Sequence, residues 1–180
     1  MSEAEMTLPE EVKWQGKFIA AKQRGRWEYV GRSRGIRAAV ILAIEETADG
    51  RHVILVDQFR VPLGKRCIEL PAGLVGDHGE DEDASVAALR ELEEETGYSA
   101  QAMENLGEYY SSPGMVSESF TLFRASGLTK VGDGGGVDDE DIRVHRVSLD
   151  ALPAFLSQKR DEGYAIDVKM LLMLGAGMVG

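Results

Sequence analysis

The sequence predicts an α/β domain built on a mixed β-sheet, and three observations lead to that class. The chain has 180 residues, of which 43% are hydrophobic and 28% charged, a balance typical of one globular domain of ordinary size. Short runs rich in β-branched residues recur along the chain. A strong helical pattern stands between them, and no repeat divides the chain. Strands and helices mixed in this way favour a single α/β domain.

The strands are predicted from apolar runs and from the turn residues between them. Residues 1–13 are acidic and predict no regular element. The apolar run over 38–44 and the β-branched run over 52–59 are separated by turn residues, which predicts a buried hairpin. In chain order, strands are expected over 16–21, 27–32, 38–44, 52–59, 67–70, 107–110, 119–125 and 142–149.

Helices are predicted in three places. Within 84–95, Val86, Leu89 and Leu92 form an apolar face at helical spacing, and Gly97 stands where a C-terminal cap belongs. Two further helical patterns, over 149–158 and 165–174, end the chain.

The charge of the chain excludes some partners. Twenty lysines and arginines against 31 aspartates and glutamates leave a formal net charge of -11. Such a surface repels DNA, RNA and anionic lipid, so neither nucleic acid nor a membrane is expected as a partner. A phosphorylated substrate needs a cation between itself and the carboxylates, which points to a divalent metal. The acidic start, the single cysteine and the absence of a long apolar run lead us to expect a cytoplasmic location.

Three carboxylates are the strongest chemical signal in the sequence. Glu91, Glu94 and Glu95 have the spacing i, i+3, i+4, which places them on one stripe of the predicted helix. Like charges so close destabilise a helix, and Arg90 is the only cation between residues 84 and 97. An exposed acidic face is the simpler alternative. Clustered carboxylates are, however, the ligands that Mg²⁺ and Mn²⁺ prefer, so we expect a metal site.

The residues around these glutamates complete a known pattern, G-x5-E-x7-R-E-U-x-E-E-x-G-U, in which U is a bulky apolar residue. The pattern resembles the Nudix hydrolase box. That resemblance implies a Nudix-like α/β/α sandwich with a mixed β-sheet, formed by residues 37–180, while strands within 1–36 could form a dimer interface. The matching residues are Gly76, Glu82, Arg90, Glu91, Leu92, Glu94, Glu95, Gly97 and Tyr98.

A second set of residues resembles one branch of that family. Glu69-Leu70-Pro71-Ala72-Gly73 precedes the box, and Ser112-Pro113-Gly114 with Glu118 follows it, as in ADP-ribose pyrophosphatases. The branch implies hydrolysis of a nucleoside diphosphate sugar, with ADP-ribose giving AMP and ribose 5-phosphate, and a homodimer. Gly73 lies three residues too early to be the first glycine of the box. The backbone metal ligand is therefore either Ala72 or Gly76.

The resemblance also implies roles for individual residues. Glu91, Glu94 and Glu95 would bind Mg²⁺ or Mn²⁺, together with Ala72 and Glu82, while Arg90 would orient a carboxylate during catalysis. Glu118 would bind metal or accept the proton of the attacking water, although it could equally be an exposed glutamate at the start of a strand. Substrate contacts are expected from Arg60, Glu69, Trp27 and Tyr29. An ion pair for Arg60, and core or dimer packing for the two aromatics, are the alternatives.

Several other functions stay open. Another Nudix substrate, such as a GDP-sugar, a dinucleotide or a nucleoside triphosphate, would use the same box. A non-catalytic sensor of nucleotide sugars could keep the fold, but the intact carboxylate triplet argues against that function.

Overall fold

Strands make up most of the regular structure. The structure is a computed structural model that describes residues 3–33, 35, 37–75, 83–137 and 140–174. Short 3₁₀ helices over Glu3–Thr7, Val61–Leu63 and Val168–Leu174 complement the strands and helices. In chain order, the strands and α-helices are β1 (Glu10–Gln15), β2 (Ile19–Arg24), β3 (Trp27–Arg32), β4 (Arg37–Thr47), β5 (Gly50–Arg60), β6 (Lys65–Glu69), β7 (Ala72–Val75), α1 (Ala84–Thr96), β8 (Tyr98–Ser99), β9 (Ala102–Tyr110), β10 (Ser119–Ser126), β11 (Thr129–Lys130), β12 (Arg143–Ser148), α2 (Leu152–Asp161) and β13 (Ala165–Ile166).

The central sheet is mixed, as the sequence predicts. Its strands follow the order β13-β6-β5-β4-β10-β9, with β12 also beside β5 and β7 also beside β4. β10 runs parallel to β4, and β13 runs parallel to β6. The β4–β5, β5–β6 and β9–β10 pairs are antiparallel. Within this arrangement α1 packs mainly against β7 and β4.

The central hairpin is buried on both faces, which explains its continuous apolar sequence. On β4, Val40 and Leu42 pack toward α2 and the last 3₁₀ helix, in a cluster that includes Leu152 and Met170. The alternating residues of β4, among them Ile41, face α1 and form a second cluster with Leu92. Two helical layers therefore enclose one sheet, which confirms the expected α/β/α sandwich.

Both α-helices are short. α1 has 13 residues, and Asp83 caps its first turn. Gly97 has the left-handed conformation at the end of α1, as predicted. The buried apolar residues of α1 are Ala87, Ala88 and Leu92, whereas Val86, expected on that face, is exposed. α2 has 10 residues. Within the described ranges no helix is long and apolar enough to cross a membrane. The cytoplasmic location stays a prediction from the sequence.

Several segments differ from the sequence prediction, which does not include the short strands β7, β8 and β11. β1 lies in the acidic stretch that predicts no regular element, because its polar residues find partners on β2, including the ion pair between Glu10 and Lys22 at 2.9 Å. The segment predicted as a helix over 165–174 is instead β13 followed by a 3₁₀ helix. β13 forms because Ala165 and Ile166 pair with Cys67 and Ile68 of β6, a contact that local sequence does not reveal.

The first three strands form a separate antiparallel sheet beside the central one. Its link to the rest of the chain runs through Val30, whose N–H donates to the carbonyl of Met115 and whose carbonyl accepts from the N–H of Ser117, both at 2.9 Å. The end of β3 therefore lies next to the segment that leads to Glu118. The division at residue 36 stays a prediction.

Candidate active site

A cavity of about 620 Å³ opens where α1 meets the edges of β4, β6 and β7. A volume of this size suits a small-molecule ligand. Among the described residues that line it are six carboxylates and three cations. These charged residues are Glu69, Glu91, Glu95, Glu118, Glu140, Asp167, Arg32, Arg60 and Lys169.

Two glutamates of α1, one turn apart, form one wall of the cavity. Glu95 is only 4% exposed, and its carboxylate accepts a hydrogen bond of 3.0 Å from the backbone N–H of Ala72. Glu91 is half-buried beside it. Ala72 also lines the cavity, so the structure brings together two predicted metal-ligating side chains and one of the two candidate backbone ligands. The other candidate, Gly76, and the predicted ligand Glu82 lie outside the described residues.

The protonation of these carboxylates reflects their crowding. Burial raises the pKa of Glu95 to about 8, and the charges of Glu91 and Glu140 add to the increase. Burial likewise raises the pKa of Glu91, although Arg90 opposes that change. Both shifts arise because negative charges share a space with little water. A divalent cation would relieve that repulsion with oxygen ligands it prefers, so Glu91 and Glu95 fit a metal.

Gly73 makes room for the first of these glutamates. A Cβ atom at this position would lie 1.9 Å from the Cδ of Glu91, far inside van der Waals contact. Only glycine therefore leaves room for the Glu91 side chain in this position. Two residues of the Pro-Ala-Gly motif therefore serve the site. Gly73 leaves space for Glu91, and the backbone N–H of Ala72 donates to Glu95.

The third glutamate of the predicted triplet, Glu94, is not among the residues that line this cavity, although Arg90 joins it to Glu91. The Glu94 carboxylate accepts from the guanidinium of Arg90 at 2.9 Å, and the same guanidinium lies 3.0 Å from Glu91. Arg90 and Glu94 line a second cavity with Gly132 and Gly134, on another side of α1. Across the described part of the chain, no three His, Cys, Asp or Glu side chains form a group able to hold a metal ion. The metal-binding role of Glu94 stays a prediction.

Arg60 and Glu69 form a planar pair in the cavity wall. The guanidinium donates from Nε and Nη2 to the two carboxylate oxygens, at 2.6 and 2.7 Å. The Glu69 side chain is 6% exposed, whereas that of Arg60 is 42% exposed. The hydrogen bond to Glu69 raises the pKa of Arg60, so the guanidinium stays charged. Arg60 is thus both an ion-pair partner and an accessible cation in the cavity, and its phosphate contact stays a prediction.

The far wall contains Glu118, which the sequence predicts as a site residue, and Arg32, which it does not. Arg32 donates from Nε to the Glu118 carboxylate at 2.6 Å. The two residues are 86 positions apart, and no sequence pattern relates them. Glu140, Asp167 and Lys169 were also missed, and they reach the cavity from the C-terminal third of the chain.

The two predicted aromatic contacts lie elsewhere. Trp27 and Tyr29 belong to β3 and are not among the residues that line the cavity. The Tyr29 hydroxyl donates to the Glu10 carboxylate at 2.5 Å. Their stacking on a nucleobase stays a prediction.

Comparison with known proteins shows which family this chain is similar to. The family model described as NUDIX domain matches residues 35–168. The chain is 36% identical over 126 residues to the methanol dehydrogenase activator of Bacillus methanolicus, covering 69% of this chain and 66% of that protein. It is 32% identical over 176 residues to the ADP-ribose pyrophosphatase of Saccharomyces cerevisiae, covering 89% and 75%. The GDP-mannose pyrophosphatase of Cronobacter sakazakii is 37% identical over 151 residues, covering 78% and 72%.

A solved structure supports the fold independently. The crystal structure titled ADP compounds hydrolase matches with a TM-score of 0.64 at 22% identity, covering 83% of this chain and 81% of that chain. At this identity the likeness concerns the fold. The family-model match covers most of the chain and includes the cavity glutamates of α1. This chain is therefore a member of the Nudix hydrolase family.

Proposed function

We propose that this chain hydrolyses the pyrophosphate bond of a nucleoside diphosphate sugar, with ADP-ribose as substrate and AMP and ribose 5-phosphate as products. The observation that carries the proposal is the cavity that Glu91 and Glu95 of the Nudix helix line together with Arg60 and Arg32. Relatives named ADP-ribose pyrophosphatase and GDP-mannose pyrophosphatase both point to this substrate class.

The charge of the cavity supports a requirement for divalent metal, Mg²⁺ or Mn²⁺. Among the described residues that line it, six carboxylates outnumber three cations, so an anionic diphosphate would be repelled without further positive charge. Glu91 and Glu95 would hold the ion beside the Ala72 backbone. When bound, it would neutralise the diphosphate and help to ionise the attacking water. Arg60 would contact the diphosphate through the part of its guanidinium that Glu69 leaves accessible.

The reaction needs a group that accepts a proton. Water adds to one phosphorus, the bond from that phosphorus to the bridging oxygen breaks, and a carboxylate takes the proton of the water. Glu118 is the predicted acceptor, but its carboxylate is already paired with Arg32. Glu140 lines the same cavity, and its charge helps to raise the pKa values of Glu91 and Glu95. We therefore favour Glu140, with Glu118 as the alternative.

A substrate panel tests the proposed function. Phosphate release would be measured, after coupling to a phosphatase, for ADP-ribose, GDP-mannose, dinucleotides and nucleoside triphosphates, each with Mg²⁺. ADP-ribose should have the highest kcat/KM. If a triphosphate or GDP-mannose exceeds it by a large factor, the substrate is wrong although the family stands. If nothing in the panel is hydrolysed while ADP-ribose binds, the chain is a sensor.

We also propose that two copies of the chain associate through the N-terminal sheet. All six residues of β1 are exposed, and apolar Trp14 (58%), Val12 (53%) and Phe18 (65%) lie on or next to that strand. A strand with neither face covered gains little stability by itself, so a second copy is the natural cover. Light scattering after gel filtration should show a dimer. Trp14→Glu should dissociate it, whereas Val86→Glu, at an exposed position of α1, should not.

A further inference from the structure

A buried ion-pair network lies outside the set of residues used so far. Asp57 follows four buried apolar residues in β5, and its own side chain is completely buried. Its carboxylate accepts from the Arg66 guanidinium and lies 2.5 Å from Nε2 of His145. Burial alone would raise the pKa of Asp57, but the bonds from His145 and Arg66 outweigh it and lower that pKa, which keeps the carboxylate charged.

Arg66 extends this network to a second segment of the chain. Its Nη1 donates to the Asp141 carboxylate at 2.5 Å, and its Nη2 donates to the Asp141 carbonyl at 2.8 Å. Nη2 also donates to the Asp57 carbonyl at 2.9 Å. One planar guanidinium therefore joins β5 to the backbone and the side chain of Asp141. Only arginine has a fork of donors that can do this.

Asp141 is the residue directly after Glu140. On its other side, Glu140 is tied to α1 through the preceding glycines. The N–H of Gly135 donates to the Glu95 carbonyl at 2.8 Å, and that of Gly136 donates to the Glu94 carbonyl at 3.0 Å. The Glu140 carboxylate accepts from the N–H of Val137 at 3.1 Å. The chain around Glu140 is thus bound to α1 on its N-terminal side and to Arg66 on its C-terminal side.

A purely stabilising role explains this network poorly. Replacing buried ion pairs by apolar side chains is often neutral or stabilising, because desolvating the charges offsets their attraction. Here the network reaches Asp141, the residue next to Glu140 of the cavity, and Arg66 binds the backbone carbonyl of Asp141 as well as its carboxylate. Such a contact fixes the path of the chain as well as its charge.

We propose that Arg66, held by Asp57 and His145, is a positioning residue that holds Glu140 in the cavity of Glu91 and Glu95 for proton transfer. The inference rests on the proposed hydrolysis. It assigns to Arg66 an action through Asp141 on Glu140, without contact with the substrate.

The test combines Arg66→Lys with Glu140→Gln. Lysine keeps a positive charge near Asp57, which protects the fold, but it lacks the planar fork that reaches Asp141. Glu140→Gln should lower kcat on ADP-ribose by about a hundredfold or more, as for a lost general base. Arg66→Lys should lower kcat about tenfold and leave KM nearly unchanged. The double variant should be no slower than Glu140→Gln alone, because groups that act as a unit are not additive. If the two effects multiply, Arg66 does not act through Glu140 and the proposal is wrong.

Hydrogen exchange of the peptide over 131–142 supplies a readout that does not depend on turnover. Arg66→Lys should speed exchange in this peptide while the exchange of β4 and β5 stays as in the wild type. The control is Arg146→Lys, since Arg146 pairs instead with Glu45 at 2.5 Å and with Asp49 at 3.7 Å. Unchanged exchange in Arg66→Lys would overturn the proposal. Should the wild-type chain hydrolyse nothing in the substrate panel, the proposed function is wrong, and exchange alone then decides whether Arg66 anchors Glu140.

Discussion

α1 has two charged sides, and they differ in what surrounds them. Glu91 and Glu95 face a cavity that also contains arginines and further carboxylates. Glu94 forms an ion pair with Arg90, and both residues line a second cavity together with Gly132 and Gly134. About 100° of helical rotation separates one residue from the next, so Glu94 and Glu95 point in clearly different directions although they are neighbours. A shared helical stripe therefore does not guarantee a shared site.

The two sides also differ in their electrostatics. Glu95 is nearly fully buried, and burial raises its pKa to about 8. Glu94 keeps part of its side chain in solvent, next to the charge of Arg90. A bound cation would therefore relieve more electrostatic repulsion on the side of α1 that faces the cavity of Glu91 and Glu95. Four predictions test this contrast, beginning with the largest effect.

Glu95→Gln should have the largest effect, because it removes the charge of a proposed metal ligand in the cavity. We expect kcat on ADP-ribose to fall by about a thousandfold, equivalent to roughly 4 kcal/mol of barrier. Steady-state kinetics with saturating Mg²⁺ measure this loss. Circular dichroism must show a folded variant. A fall of only a few-fold would place the metal elsewhere.

Gly73→Ala should rank second. The new methyl group would collide with Glu91 and push it out of position, and a displacement of about 1 Å in an active site can lower the rate by roughly a hundredfold. Gly132→Ala is the matched control, since Gly132 lines the second cavity and a Cβ there meets no atom within 4 Å. Equal activity of the two variants would contradict the steric role of Gly73.

Glu94→Gln should have a smaller effect than either. If Glu94 only helps Arg90 to orient Glu91, its loss should lower kcat about tenfold, as for residues that support a ligand. The same kinetic assay compares it directly with Glu95→Gln. If kcat falls as much as in Glu95→Gln, Glu94 binds the metal too, and the two sides of α1 do not differ in function.

The smallest effect concerns stability and pH. With chelator present, Glu95 in the folded chain keeps its proton up to about pH 8, whereas in the unfolded chain it releases that proton near its ordinary value of 4.5. The unfolded state therefore binds fewer protons between these pH values, and this group lowers the free energy of unfolding as the pH rises from about 5 to 8. Thermal melts should show Glu95→Gln gaining on the wild type over that range. Saturating Mg²⁺ should reduce the difference, and a difference that does not change with pH would contradict the burial of this charge.

Much of the fold could be predicted because its signals are local. The hairpin of β4 and β5 has a continuous apolar sequence, and α1 has its apolar face and a terminal glycine within one short segment. β1 and β13 were not predicted, because each forms through its pairing with a neighbouring strand. The β6 partner of β13 is nearly one hundred residues away in sequence.

The sequence by itself determined the family and the acidic helix, because the Nudix pattern lies within one short stretch of chain and depends on helical spacing. Only the tertiary structure decided which carboxylates share a cavity. It paired Arg32 with Glu118 and brought Glu140 to the cavity of Glu91 and Glu95. The physical reason is that these contacts join segments distant in sequence, and their geometry depends on how the sheet, its helices and the intervening loops pack together.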